Sequence, residues 1–167
     1  NVTKGNYIGP GSGLASIASS NQDYGFFIAL SAASNTIGGA AAGAENQIAF
    51  NMVYGIDLTS LAATGNLISR NPIYSNIGKP VNLNYGANQA NNGKTKPTII
   101  TATASTVSGT SDASNIIEVF KNTTGNCNDA TTFVGSATAD IGGLWALGVA
   151  LAPCDYVLAT ATDASNN

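Results

Sequence analysis

Few side chains in this sequence could support chemistry. Among 167 residues there are nine Asp or Glu, six Lys or Arg, and no His. A Ser-His-Asp triad therefore cannot form. The two cysteines lack C-x-x-C spacing and have no imidazole to join, so a zinc site is not expected. Cleaving a glycosidic bond takes two flanking carboxylates, and lyase chemistry takes a calcium–carboxylate cluster beside a proton acceptor. The first half of the chain offers only Lys4, Asp23, Glu45, Asp57, Arg70 and Lys79. Asp57 and Arg70 are the one pair placed to meet, the first on a strand and the second on the following coil. Read structurally, they make a surface ion pair worth less than about 1 kcal/mol. Gly38-Gly39 reads as a turn, because no strand-to-helix context turns it into a phosphate loop. No catalytic residue, metal ligand or cofactor is assigned.

Three other groups carry weaker signals. Asp112, Asp140 and Asp163 fall in turns, where calcium could bridge them, although isolated Asp residues are ordinary turn formers. Asn1-Val2-Thr3 and Asn122-Thr123-Thr124 are sequons, making Asn1 and Asn122 candidate glycosylation sites. Tyr54, Tyr74 and Tyr85 are the aromatic candidates for a carbohydrate platform, with Tyr54 and Tyr74 read first as packing residues. Cys127 and Cys154 form a candidate disulfide if the chain is exported, as the low charge and the Asn/Thr-rich composition suggest. Such a bridge contributes roughly 2–4 kcal/mol.

Elements must position these residues, and the composition says which kind. Charged residues are 9% and hydrophobic residues 44%, with 19 Gly. That balance fits many short strands joined by tight turns. The six cations are scattered and net charge is −3, so no phosphate-binding stripe exists and nucleic acid is not an expected partner. No apolar run reaches the ~18 residues of a membrane span. The chain begins without Met, which reads as a processed product or a piece of a longer protein.

The stretch from Asn46 to Asn84 shows a repeat. Asn46-Gln47-Ile48-Ala49-Phe50-Asn51-Met52-Val53-Tyr54 aligns with Asn66-Leu67-Ile68-Ser69-Arg70-Asn71-Pro72-Ile73-Tyr74, about twenty residues on. Gly55-Ile56-Asp57-Leu58 and Pro80-Val81-Asn82-Leu83 are the strand-like pieces that follow the two nonamers, and Gly25-Phe26-Phe27-Ile28-Ala29-Leu30 corresponds to Gly55-Ile56-Asp57-Leu58. Asn1 to Gly9 and Asn35-Thr36-Ile37-Gly38-Gly39 open earlier coils. Small-residue excursions run from Pro10 to Asp23 and from Ala40 to Glu45. This is the signature of stacked coils, here about three coils of a parallel β-helix over 1–84. Asn is expected at the corners, where it tolerates the left-handed backbone, and stacked Asn can form amide ladders.

Residues 85–97 carry no hydrophobic pattern and read as a linker. From 98 to 167 the period becomes two. Strands are expected at 98–104, 106–110, 115–120, 132–139, 144–151 and 156–162, a spacing that argues a β-sandwich with Trp145 as core anchor.

The N-x-I-x-x-N-x-I-x coils and Asn35-Thr36-Ile37-Gly38-Gly39 resemble bacterial right-handed parallel β-helix repeat surface proteins. Val107-Ser108-Gly109-Thr110, Ile117-Glu118-Val119-Phe120, Gly143-Leu144-Trp145 and Tyr156 to Asp163 resemble the bacterial Ig-like modules that follow such helices. The resemblance implies an all-β chain: a short right-handed parallel β-helix followed by an Ig-like β-sandwich that lacks its usual last strand. It further implies a non-enzymatic, extracellular or cell-surface protein with structural and adhesive duty. The expected partners are copies of itself, in a homo-oligomer or a filament built by β-stacking or strand complementation, and glycans. The alternative is a polysaccharide-active fragment or a carbohydrate-binding module.

Overall fold

The computed structural model describes residues 1–9, 21, 23–83, 89–123, 125–126 and 128–167. The chain is all-β, with three parallel and two antiparallel sheets of three strands each. It divides into two compact units between Gly93 and Lys94, with Asn166 and Asn167 belonging to the first.

In the first unit the chain visits three sheets in the same order three times. The first circuit supplies β1 (Val2–Thr3), β2 (Tyr7–Ile8) and β3 (Phe26–Ile28). The second supplies β4 (Thr36–Gly38), β5 (Gln47–Ala49) and β6 (Ile56–Leu58). The third supplies β7 (Leu67–Ser69), β8 (Ile73–Tyr74) and β9 (Val81–Asn82). The sheets are β1-β4-β7, β2-β5-β8 and β3-β6-β9, all parallel. Strands of two or three residues cannot persist alone; aliphatic rows hold them. Ile8, Ile48 and Ile73 stack in register, as do Phe26, Ile56 and Val81, and Ile28 on Leu58. Ile48, Ile56 and Leu58 are fully buried in the shared core.

Asparagine turns the corners, and the geometry corrects two expectations. The residue in the left-handed region is mostly the one before the ladder Asn: Gly5, Ser34, Phe50, Gly65, Arg70 and Ser75 have positive φ and precede Asn6, Asn35, Asn51, Asn66, Asn71 and Asn76. That reversal aims the following Asn along the stack. The stacking offset of the last two circuits is 25 residues, so Asn46 sits on Asn71, and Asn66 sits on Asn35 and Asn91. Asn46 and Asn66 are therefore not equivalent positions.

The second unit contains β10 (Thr98–Ala102), β11 (Thr106–Thr110), β12 (Ile116–Asn122), β13 (Thr132–Thr138), β14 (Leu144–Gly148) and β15 (Tyr156–Thr162). They form two antiparallel sheets, β10-β11-β14 and β13-β12-β15. One core draws on both: Val107 and Trp145 from the first, Ile117 and Val119 from the second. Gly109 is required there, since a Cβ would sit 1.8 Å from the Thr98 carbonyl oxygen and 2.9 Å from the Trp145 ring.

Candidate functional site

Three asparagine ladders run along the first unit. One joins Asn1, Asn35, Asn66 and Asn91, another Asn6, Asn46 and Asn71, and the third Asn21, Asn51 and Asn76. Their chemistry is directional. The backbone N–H and Nδ2 of Asn46 both donate to Oδ1 of Asn71, each at 2.9 Å. Asn46 Nδ2 also donates back to the Thr3 carbonyl at 3.0 Å, while its Oδ1 accepts from Asn6. Each interior amide is thus satisfied on both sides, which removes the cost of burying it.

The outer side of β3-β6-β9 gathers a second group. Phe27, Asp57 and Asn82 lie in register across the sheet, on the side opposite the buried Ile56 and Leu58. Asp57 is only 4% exposed, although it points away from the core. Its Oδ1 accepts from Asn82 Nδ2 at 2.7 Å, and Lys79 Nζ lies 3.4 Å from Asn82 Oδ1. Tyr24 stacks on Phe27, with ring centroids 5.2 Å apart and planes 21° apart; Tyr54 tilts against Tyr24 at 5.9 Å and 35°. The Tyr54 ring rests on Gly78, where a Cβ would come within 2.5 Å of it. Burial raises the Tyr24 phenol above its usual range, and the Asp57 and Asp23 carboxylates raise it further.

Arg70 is not part of this group, and the expected Asp57–Arg70 ion pair is not formed. Arg70 follows β7 at a corner and donates Nη1 to the Ala40 carbonyl at 2.9 Å. With an offset of 25, the residue below Asp57 is Asn82. The acidic groups near this face are Asp57 and Asp23, both acting on Tyr24. Tyr74 packs edge-on to Phe50, and burial, then Tyr7, raises its phenol. Tyr85 lies outside the described residues.

In the second unit, Asp112 and Asp163 converge on a cation supplied by the chain itself. Lys94 Nζ lies 3.1 Å from Asp112 and 3.7 Å from Asp163, and donates to Asn115 Oδ1 at 3.0 Å. Asp140 is elsewhere, accepting from the Gly142 and Leu144 N–H groups at 2.8 Å each. No group of three or more His, Cys, Asp or Glu suited to a metal occurs among the described residues. Lys121 Nζ contacts Asp155 Oδ2 at 2.9 Å. That hydrogen bond, then the one from the Ala152 N–H, holds the Asp155 carboxyl below its usual range.

No family model matches the chain, and no curated protein is significantly similar to it.

The modification candidates separate. Asn1 is exposed. Asn122 is 1% exposed, and its Nδ2 donates to the carbonyls of Asn126 and Asp129, so the folded chain presents no amide there for a sugar. Cys154 is exposed at a turn with φ 72°. Cys127 lies outside the described residues, and no cysteine pair occurs among those described. No helix among the described residues is long and apolar enough to cross a membrane. Sequence reasoning missed Tyr24 and Phe27. The available signal was Phe27 aligning with Asp57 and Asn82 once the Gly25, Gly55 and Pro80 segments are superposed.

Proposed function

We propose that the chain is a non-enzymatic, extracellular structural module with adhesive duty, built as short right-handed parallel β-helix coils followed by an Ig-like β-sandwich, and that copies associate into a filament. The observation that carries this is the asparagine ladders. Most of the buried polar side chains of the first unit bond circuit to circuit instead of converging on a reactive centre. Such spending gives length and stiffness.

Of the two routes to assembly, strand complementation is the better supported. The third circuit is followed by Ala90, buried in the core, and by Asn91, which already stacks on Asn66. A stacked copy's Asn1 would compete for that corner. By contrast, among the described residues β15 pairs with β12 on one side only, and its seven residues include no charge and no proline to guard the other. An added strand there would continue the β13-β12-β15 sheet.

Electron microscopy of the concentrated protein tests the reading, together with sedimentation of Thr160→Lys and Tyr7→Lys. Both positions are exposed, so both variants fold. Filaments in the wild type that Thr160→Lys abolishes and Tyr7→Lys leaves intact support strand complementation. Filaments lost only in Tyr7→Lys shift the route to the first circuit. A chain that stays monomeric at millimolar concentration overturns the filament.

A further inference from the structure

Asp57 is the buried polar residue of the first unit that the ladders leave half used. Its Oδ1 accepts from Asn82, and its Oδ2 accepts no hydrogen bond from the described residues. Oδ2 is not among the fully enclosed, unpartnered atoms of the described residues, so an arriving donor can reach it in a residue otherwise 4% exposed. Beside it Phe27 is 58% exposed, with one face held against Tyr24 and the other open. An open aromatic face next to a sheltered acceptor is a two-part surface, apolar on one side and hydrogen-bonding on the other.

We propose that the face formed by Tyr24, Phe27, Asp57 and Asn82 binds the pyranose ring of a neutral polysaccharide. A pyranose presents a face of C–H bonds and a rim of hydroxyls. The face lies on Phe27, whose tilt is fixed by Tyr24 behind it, and Tyr24 is fixed in turn by Tyr54. A rim hydroxyl donates to Asp57 Oδ2, and the Asn82 bond to Oδ1 holds the carboxylate in the orientation that receives it. The neighbouring charges define the ligand further. Asp57 and Asp23 both act on Tyr24, and their negative charge repels acidic polysaccharides; Lys79 is turned to Asn82. An organic cation is the competing ligand for aromatic rings beside a carboxylate. Here Phe27 is stacked on Tyr24 at 21° and Tyr54 is tilted against Tyr24 at 35°, not set as walls around a centre, so only one face is open to it.

This deepens the adhesive half of the function proposed above and rests on it. The test uses the monomeric fraction of the full chain, so a failure to bind leaves the assembly result standing. Native electrophoresis is run in gels containing hydroxyethyl cellulose, galactomannan or alginate. Retardation by at least one of the two neutral polymers, and none by alginate, is expected. Phe27→Ala and Asp57→Asn should each bind at least about tenfold more weakly. Phe27→Ala removes a ring that is 58% exposed, and a cooperative thermal transition in this variant shows that its loss of binding is not loss of fold. The site is overturned by no retardation in either neutral polymer, by retardation in alginate, by retardation unchanged in Phe27→Ala, or by tetramethylammonium abolishing it.

Discussion

At the scale of the residue, what matters is how each buried amide is satisfied. Asn71 takes two N–H donors from Asn46 on its Oδ1 and gives Nδ2 to the Ile37 carbonyl at 2.8 Å. Asn71→Ala strands all of these groups, and the expected loss is about 1–3 kcal/mol in urea unfolding. Asn1, at the exposed end of its ladder, donates only Nδ2 to Asn35; Asn1→Ala should stay within about 0.5 kcal/mol. A different residue contributes on the acid side. The Asp155 carboxyl is held below its reference value of 3.8. Its contribution is therefore complete above that value and is lost as pH falls through the lower folded-state value. The Tm gap between wild type and Asp155→Asn should be constant between about pH 5 and pH 8 and should close at lower pH. A gap that widens on acidification would refute the assignment. The ladder role of Asn was legible from recurrence alone. The Lys121–Asp155 and Lys94–Asp112 contacts were not, because their partners come together only through the antiparallel sheets and turns.

At the scale of the element, short strands gain stability only from register. Ile48 lies between Ile8 and Ile73 in the middle circuit and is fully buried. Ile48→Ala should cost about 2–5 kcal/mol by chemical denaturation. The exposed Val2 at the edge of β1 should tolerate the same truncation. Strand positions were readable in both units: the six period-two runs after Pro97 correspond to β10 to β15, and the Gly25, Gly55 and Pro80 segments superpose as β3, β6 and β9. The circuit length was not readable, for a specific reason. Asn recurs every five residues within a circuit, as in Asn66, Asn71 and Asn76. Sliding the alignment by one corner therefore preserves most Asn matches, and an offset near twenty looks as good as the true 25. The strands break the tie, since only the longer offset puts Ile56 on Val81 and Asp57 on Asn82. The Asp57–Arg70 expectation fails for a different reason: partners across the stack lie 25 residues apart, as Asp57 and Asn82 do, and Arg70 sits at a corner of the intervening stretch.

At the scale of the whole molecule, two solutions to the edge problem stand in one chain. Among the described residues each sheet has two edge strands, β1 to β3 and β7 to β9 in the first unit and β10, β13, β14 and β15 in the second; none of these ten strands contains a charge. Natural monomers usually guard such edges with Lys, Pro or a bulge, so the uncharged edges add to the asparagine ladders in support of the proposed association. The division between Gly93 and Lys94 falls in a stretch without hydrophobic pattern, where the change of period from coil to alternating strand was already visible.

The circuits also have a mechanical consequence. Their hydrogen bonds run along the stack while the chain runs across it, so tension entering at Asn1 loads one circuit's bonds at a time. A chain pulled in an optical trap should then lengthen in steps as successive circuits peel away. A circuit with an offset of 25 residues releases about 8 nm of extended chain. Re-stacking on the still-folded circuits would restore the ladder one rung at a time, making the first unit a rewindable spring.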